Sequence, residues 1–283
     1  MKELLNRLKN NFITKFIASN NYILAALIIS PLLLYFVFGT TFYNTYDDAI
    51  TQGDFGIPND DSNKFYQYNG IPISKAYLDK TNPDGLNENI TSKEQYVFRK
   101  SFFNSLVLSA EISFLIGASL SALSWGLMTE EGSIVYLIFS KSSREEAFLE
   151  LFSFPLIFVL FISIAASLAI SSEMLTIYLD KSMWNLSFIS FVLLSGTMFG
   201  GYVFSSILSL ISKNTFLPIF GSLLVVGSVS VLPESRDLVI PFETVMRNYQ
   251  YGFPIDNEAY IGIILICLGV VGLYIIFKRR SFY

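Results

Sequence analysis

Long stretches without a charge alternate along this chain with short charged clusters, and the uncharged stretches have the length of a membrane crossing. Charge-free runs cover Phe16–Tyr46, Leu151–Ser172, Ser182–Ser212, Asn214–Pro233 and Ala259–Phe277, and a further run, Ser101–Thr129, is interrupted only by Glu111. About 20 mostly apolar residues, rising about 1.5 Å each, cross a hydrocarbon core of about 30 Å. The pattern therefore predicts six transmembrane helices, over residues 22–42, 102–126, 150–172, 184–210, 214–232 and 259–277. The fold class expected is an all-α integral membrane protein, with residues 1–283 forming a single transmembrane domain. Residues 43–100, rich in Asp, Asn, Tyr and Gly, read as a loop outside the membrane, where Pro and Gly argue against one long helix. Residues 127–147 form a second loop and residues 233–258 a third. Within residues 1–20, Leu4, Leu5, Leu8, Phe12 and Phe16 recur at helical spacing among Lys, Arg and Asn, the pattern of an amphipathic helix lying on a membrane surface or of a solvated extension. The polar first 21 residues and the full-length span that follows do not fit a cleavable signal peptide.

Small residues recur in steps of four inside two of these runs. Ser105, Ser109, Ser113, Gly117 and Ser121 form one stripe, and Thr197, Gly201, Ser205 and Ser209 form another beside Gly196 and Gly200. In lipid, helices associate by close backbone approach at such residues rather than by hydrophobic drive. The stripes predict helix packing, either within the chain or between copies in a dimer. Glu111 is a carboxylate inside a predicted span, where a charge costs on the order of 3 kcal/mol and must face protein or water. It is a candidate for a polar site on a transport path, or for a structural hydrogen-bonding partner.

Composition agrees with this picture and narrows the chemistry. Of 283 residues, 52% are hydrophobic and 15% charged, and net charge is −4. No basic run is long enough to track a phosphate backbone, so nucleic acid is not an expected partner. Histidine is absent, which removes His-dependent triads and most zinc sites. The single Cys267 lies in an apolar run and has no partner for an internal disulfide. No G-x-x-x-x-G-K-[ST] phosphate loop occurs, and no metal or cofactor is expected on this chain. With the N-terminus inside, the short inner segments hold Lys2, Arg7, Lys9, Lys15, Lys141, Arg144, Lys213, Lys278, Arg279 and Arg280, against Lys181, Arg236 and Arg247 in the shorter outer ones. That asymmetry predicts a multi-pass protein of the cytoplasmic membrane with both termini in the cytoplasm. Asn89-Ile90-Thr91 is an acceptor sequon compatible with the same orientation.

The loop between the second and third spans carries the strongest local signals. Thr129-Glu130-Glu131-Gly132-Ser133 precedes the apolar run Ile134–Phe139, which leads into Ser140-Lys141-Ser142-Ser143-Arg144-Glu145-Glu146. Thr129 is positioned to cap a short helix with Glu130 and Glu131 in its first turn, and Ser143 with Glu146 makes a capping box for the helix that follows. The order of Glu131-Gly132, an apolar helical run and Ser140-x-x-Ser143-Arg144 resembles the type-2 permeases of ATP-binding-cassette exporters. Lys141 stands where that family usually has proline, and Glu150 lies near a position often held by lysine. The N-terminal amphipathic elbow, the long outer loop after the first span and the six spans add to the resemblance, which covers nearly the whole chain.

The resemblance implies a permease subunit that pairs with a second copy or a paralogue and receives ATP-binding-cassette ATPase subunits, which bind the ATP and magnesium. Residues 130–140 would then be the coupling helix, with Glu130, Glu131, Gly132, Ser140, Ser143 and Arg144 meeting the ATPase, while residues 233–258 would be outer helical elements that cap the exit. No enzymatic chemistry on the substrate is implied. An ATP-independent carrier or channel using Glu111, an intramembrane enzyme and a membrane assembly subunit are the other function classes weighed, and the sequence does not identify a substrate.

Overall fold

The computed structural model of the chain describes residues 21–52, 66–68, 71–73, 93–141, 143–177, 183–232, 236–251 and 257–280. Its elements are α1 (Asn21–Gln52), a short hairpin of β1 (Tyr66–Tyr68) and β2 (Ile71–Ile73), and α2 (Lys93–Ser121), which passes through a π-helical turn at Ala122–Gly126 into α3 (Leu127–Glu130). Then follow α4 (Ser133–Ser140), α5 (Arg144–Ile177), α6 (Met183–Ser212), α7 (Phe216–Val231), α8 (Arg236–Val239), α9 (Pro241–Tyr251) and α10 (Asn257–Arg279). The hairpin is antiparallel, with Tyr66 opposite Ile73 and Tyr68 opposite Ile71. The amphipathic helix expected over residues 1–20 lies outside the described residues.

Among the described residues, five helices are long and apolar enough to cross a membrane, at Leu27–Tyr46, Ser101–Glu130, Arg144–Met174, Asn185–Ser212 and Asn257–Arg279. The chain is a multi-pass membrane protein. The sequence pattern predicts six crossings, but the helix in the fifth predicted position, α7, has only 16 residues. At about 1.5 Å per residue it reaches about 24 Å, short of a full hydrocarbon core. Both of its ends have local causes. Lys213 takes a left-handed conformation with φ 55° in the turn before α7, and Leu232, which precedes Pro233, leaves the helical region at φ −124°, ψ 83°. Pro218 falls in the first turn of α7, where its missing N–H breaks no helical hydrogen bond.

The other helices run past their predicted limits, because a charge ends an apolar window without ending a helix. α1 continues to Gln52, α2 begins at Lys93, and α5 extends from Arg144 to Ile177 through Glu173. These extensions shorten the loop expected over residues 43–100 from both sides.

The centre of the bundle is the pairing of α2 with α6, flanked by α1, α5, α7 and α10. It obeys the small-residue rule almost atom for atom. A Cβ placed on Gly117 would lie 1.9 Å from the carbonyl oxygen of Met198, and one on Gly201 would lie 2.0 Å from that of Phe114. Each helix thus presses its backbone onto the other's glycine. Serines fasten the same seam: Ser113 Oγ donates to the Leu194 carbonyl at 3.3 Å, Ser205 Oγ to the Ala118 carbonyl at 2.9 Å, and the Ser121 and Ser206 hydroxyls bond at 2.8 Å. Gly117 and Gly201 therefore serve packing within one chain. Gly200 faces Ile266 of α10, and Gly196 receives the ring of Phe242 from α9.

Two apolar cores lie along this seam. One gathers Phe38 and Phe42 of α1, Phe102 and Leu106 of α2, Ile162 of α5, Leu193 of α6, and Ile240 and Met246 from the α8–α9 hairpin. The other, at the end occupied by α4, gathers Trp125, Ile134, Leu137, Phe148, Tyr202 and Phe277. Outward positions on α10, such as Ile264, Leu268 and Ile275, are exposed apolar residues, suited to lipid.

Candidate functional site

The loop from α3 to the start of α5 places exposed aromatic and charged side chains next to residues bonded to α7 and α10. Gly132, at φ +71°, turns the chain between α3 and α4 in the left-handed region that glycine tolerates best, and a Cβ there would meet nothing within 4 Å. This glycine replaces the cap that the sequence suggested. Thr129 sits in α3, where its hydroxyl bonds back to the Trp125 carbonyl, so α4 starts at Ser133 rather than at Glu130. The other predicted cap forms, with the Glu146 amide donating to Ser143 Oγ at 3.1 Å at the start of α5.

The helix α4 is two-faced. Ile134 and Leu137 are buried against the bundle, while Tyr136 is 71% and Phe139 68% exposed. Their three-residue spacing puts both rings on one side of the helix. Glu131 and Ser140 are exposed beside them, with the Ser140 hydroxyl bonded to the Leu137 carbonyl at 2.8 Å.

The charged residues of the loop mostly turn back toward the bundle. Glu130 Oε2 accepts the Thr215 amide at 3.2 Å and also the Thr215 hydroxyl, placing a carboxylate at the N-terminus of α7, where the helix dipole favours it. Arg144 Nη1 donates to the carbonyls of Lys278 and Arg280 at 2.9 and 3.0 Å, capping the C-terminus of α10 with a cation. Glu145 pairs with Lys278 at 2.9 Å and accepts the Tyr274 hydroxyl at 2.9 Å. Lys141 and Glu150 form an ion pair with each other.

Of the residues expected to meet a partner, the structure thus places Glu131, Ser140 and the α4 face outward. It uses Glu130, Ser143 and Arg144 to tie the loop to α7, α5 and α10. Sequence reasoning missed Tyr136 and Phe139, although an unbroken apolar run from Ile134 to Phe139 on a short helix, which cannot bury every side, was the available signal. It also missed Glu173, near the far end of α5, whose carboxylate lies 3.8 Å from a Cβ built on Gly39 of α1.

Beneath the loop, the π-helical turn in α2 sets Trp125 fully inside the bundle. Its indole Nε1 donates to the Tyr202 hydroxyl at 2.7 Å, and its ring meets Phe277 edge-on at 5.8 Å. The Gly126 Cα side of the same turn packs on Thr215, since a Cβ there would lie 3.2 Å from the Thr215 Cα. One turn therefore touches α6, α7 and α10. Replacing Tyr202 by Phe leaves a buried indole donor without its acceptor, and about 2 kcal/mol should be lost from the stability measured by detergent unfolding; an unchanged midpoint would mean the bond contributes nothing.

The helices and the loop define the class of the molecule as a multi-pass helical membrane protein. No family model matches the chain, and neither a curated protein nor a solved structure matches it. Among the described residues, no group of His, Cys, Asp and Glu is arranged to hold a metal ion.

Proposed function

We propose that this chain is the membrane-spanning permease subunit of an ATP-driven transporter of the cassette type, an exporter whose ATPase subunits are separate chains and whose transport unit contains a second permease copy or paralogue. The observation that carries this reading is α4: a short helix presenting Tyr136 and Phe139 away from the bundle, while its flanks are bonded to α7 and α10. An exposed apolar pair beside the charges of Glu131 and Lys141 supports a contact surface, which this reading assigns to a protein partner. The flanking bonds give such a contact mechanical consequence. Displacement of α4 by a partner is passed through Glu130 to α7 and through Arg144 and Glu145 to α10, so ATP-driven movement outside the membrane biases the spans between two arrangements. In this reading α4 lies in the cytoplasm, as the Lys and Arg asymmetry favours.

The test is purification of the tagged chain from its native membrane in mild detergent, with identification of stoichiometric partners and an assay of ATP hydrolysis. Recovery of a partner carrying a phosphate-binding loop, with ATPase activity in the complex, is expected. A chain that purifies alone and without ATPase activity would favour an ATP-independent carrier or an assembly subunit instead.

A further inference from the structure

The stretch of chain that carries α4 is bordered at both ends by an interruption of helical hydrogen bonding. On the side of α2, the π turn at Ala122–Gly126 takes up an extra residue, and the Leu127 amide reaches back to the Ala122 carbonyl. On the side of α5, Pro155 lies inside the helix. It has no N–H to give the Leu151 carbonyl one turn back, and its ring crowds that turn. Helices bend at both kinds of interruption. Half-buried Glu111 stands about three turns before the π turn, outside this stretch.

Both interruptions are fastened to one side chain. Tyr202, fully buried on α6, accepts the Trp125 indole N–H of the π turn at 2.7 Å and donates to the carbonyls of Leu151 and Phe152, each at 3.5 Å, on the turn before Pro155. The donation thus reaches the carbonyl that proline leaves without its helical donor. Between the two breaks, the buried residues Met128, Ile134, Leu137, Ala147, Phe148 and Leu151 all belong to the core at the α4 end. The other core stops at Leu120 on α2 and resumes at Val159 on α5, beyond both breaks. Residues 127–154 are therefore packed in one core and joined to the rest of α2 and α5 through a bend at each border.

We propose that residues 127–154 rock as one body on two hinges, the π turn of α2 and the Pro155 break of α5, with Tyr202 as the pin that holds both shut. Rocking tilts α4 while the spans beyond the bends keep their packing in the other core. It is a property of the fold and stands whether or not an ATPase docks on α4.

Stiffening one hinge tests whether the other follows. Pro155→Ala supplies the missing N–H, and the Leu151 carbonyl has a second lone pair for Tyr202. Hydrogen exchange of the full chain in lipid nanodiscs should then slow at the π turn, on a different helix, by about tenfold, the ratio equivalent to about 1.4 kcal/mol and to one net hydrogen bond. Spin labels read the motion itself. In a Cys267→Ser chain, labels at exposed Glu131 and Asn185 span the hinges, and labels at Glu131 and exposed Leu149 lie within the rocking body. The spread of the 131–185 distance should shrink in Pro155→Ala and widen in Tyr202→Phe, while the 131–149 spread stays constant. The proposal is overturned if Pro155→Ala leaves exchange at the π turn unchanged, if either variant leaves the 131–185 spread unchanged, or if the 131–149 spread changes in parallel.

Discussion

Alanine at Gly201 or Gly117 is expected to lower stability by about 3 kcal/mol or more, the upper range for overpacking a closed interface. The reason is the identity of the obstructing atoms. A new methyl at either position meets a backbone carbonyl at about half the normal contact distance, 2.0 Å at Phe114 and 1.9 Å at Met198. A side chain can rotate away from such a clash, but a carbonyl held in a helix cannot. Relief requires α2 and α6 to separate, which would also stretch the bonds from Ser113 to Leu194 and from Ser205 to Ala118. Gly227 and Gly272, where a Cβ meets nothing within 4 Å, serve as comparison positions. Alanine there should leave stability unchanged or raise it by up to about 1 kcal/mol through helix propensity. Unfolding in graded denaturing detergent measures all four, and a Gly201→Ala chain as stable as Gly227→Ala would refute the crossing.

If the proposed permease reading holds, exchange of both Tyr136 and Phe139 for serine should abolish association with an ATPase partner while leaving the chain inserted and folded. Both rings project from the protein, so their removal creates no cavity in either core. Interfaces of this kind draw most of their affinity from a few aromatic anchors, each able to contribute 2 kcal/mol or more, so losing two together should weaken binding by about a thousandfold. Leu137→Ser, one residue away but fully buried, should destabilise the chain itself. Co-purification yield together with an unfolding midpoint separates the two outcomes. A double serine variant that still retains its partner would show that α4 is not the contact.

Much of this architecture is written in the sequence, and the remainder is hidden for physical reasons. The serine and glycine stripes are legible because close approach in lipid demands small side chains at a fixed four-residue step, and every serine of the α2 stripe is indeed fully buried. The ends of the helices are less legible. Charges mark where lipid stops, whereas the helix of α5 carries Arg144 at one end and Glu173 near the other. The cap at Thr129 is overruled because its hydroxyl finds the Trp125 carbonyl one turn back, leaving Gly132 to make the turn. The partners of Glu130 and Arg144 lie on α7 and α10, far along the chain, so local pattern assigns these residues to solvent or to a partner when they serve as helix caps. Lys141 and Glu150, nine residues apart, look unrelated in the sequence until the fold brings them together as one ion pair. Arg236 and Glu243 show the same limit. They fall within a segment read as lying outside the membrane, but the glycines of α6 and α10 let that segment fold inward.

The most direct test of the permease reading is a photo-crosslinking residue placed at position 136 of α4 in otherwise native membranes, with position 134 on the buried face of the same helix as its comparison. The account predicts that illumination joins position 136 to one protein, that this protein carries a phosphate-binding loop, and that position 134 gives no such adduct. Equal adducts at both positions, or a normally expressed chain whose position 136 captures only lipid or no ATPase, would contradict it.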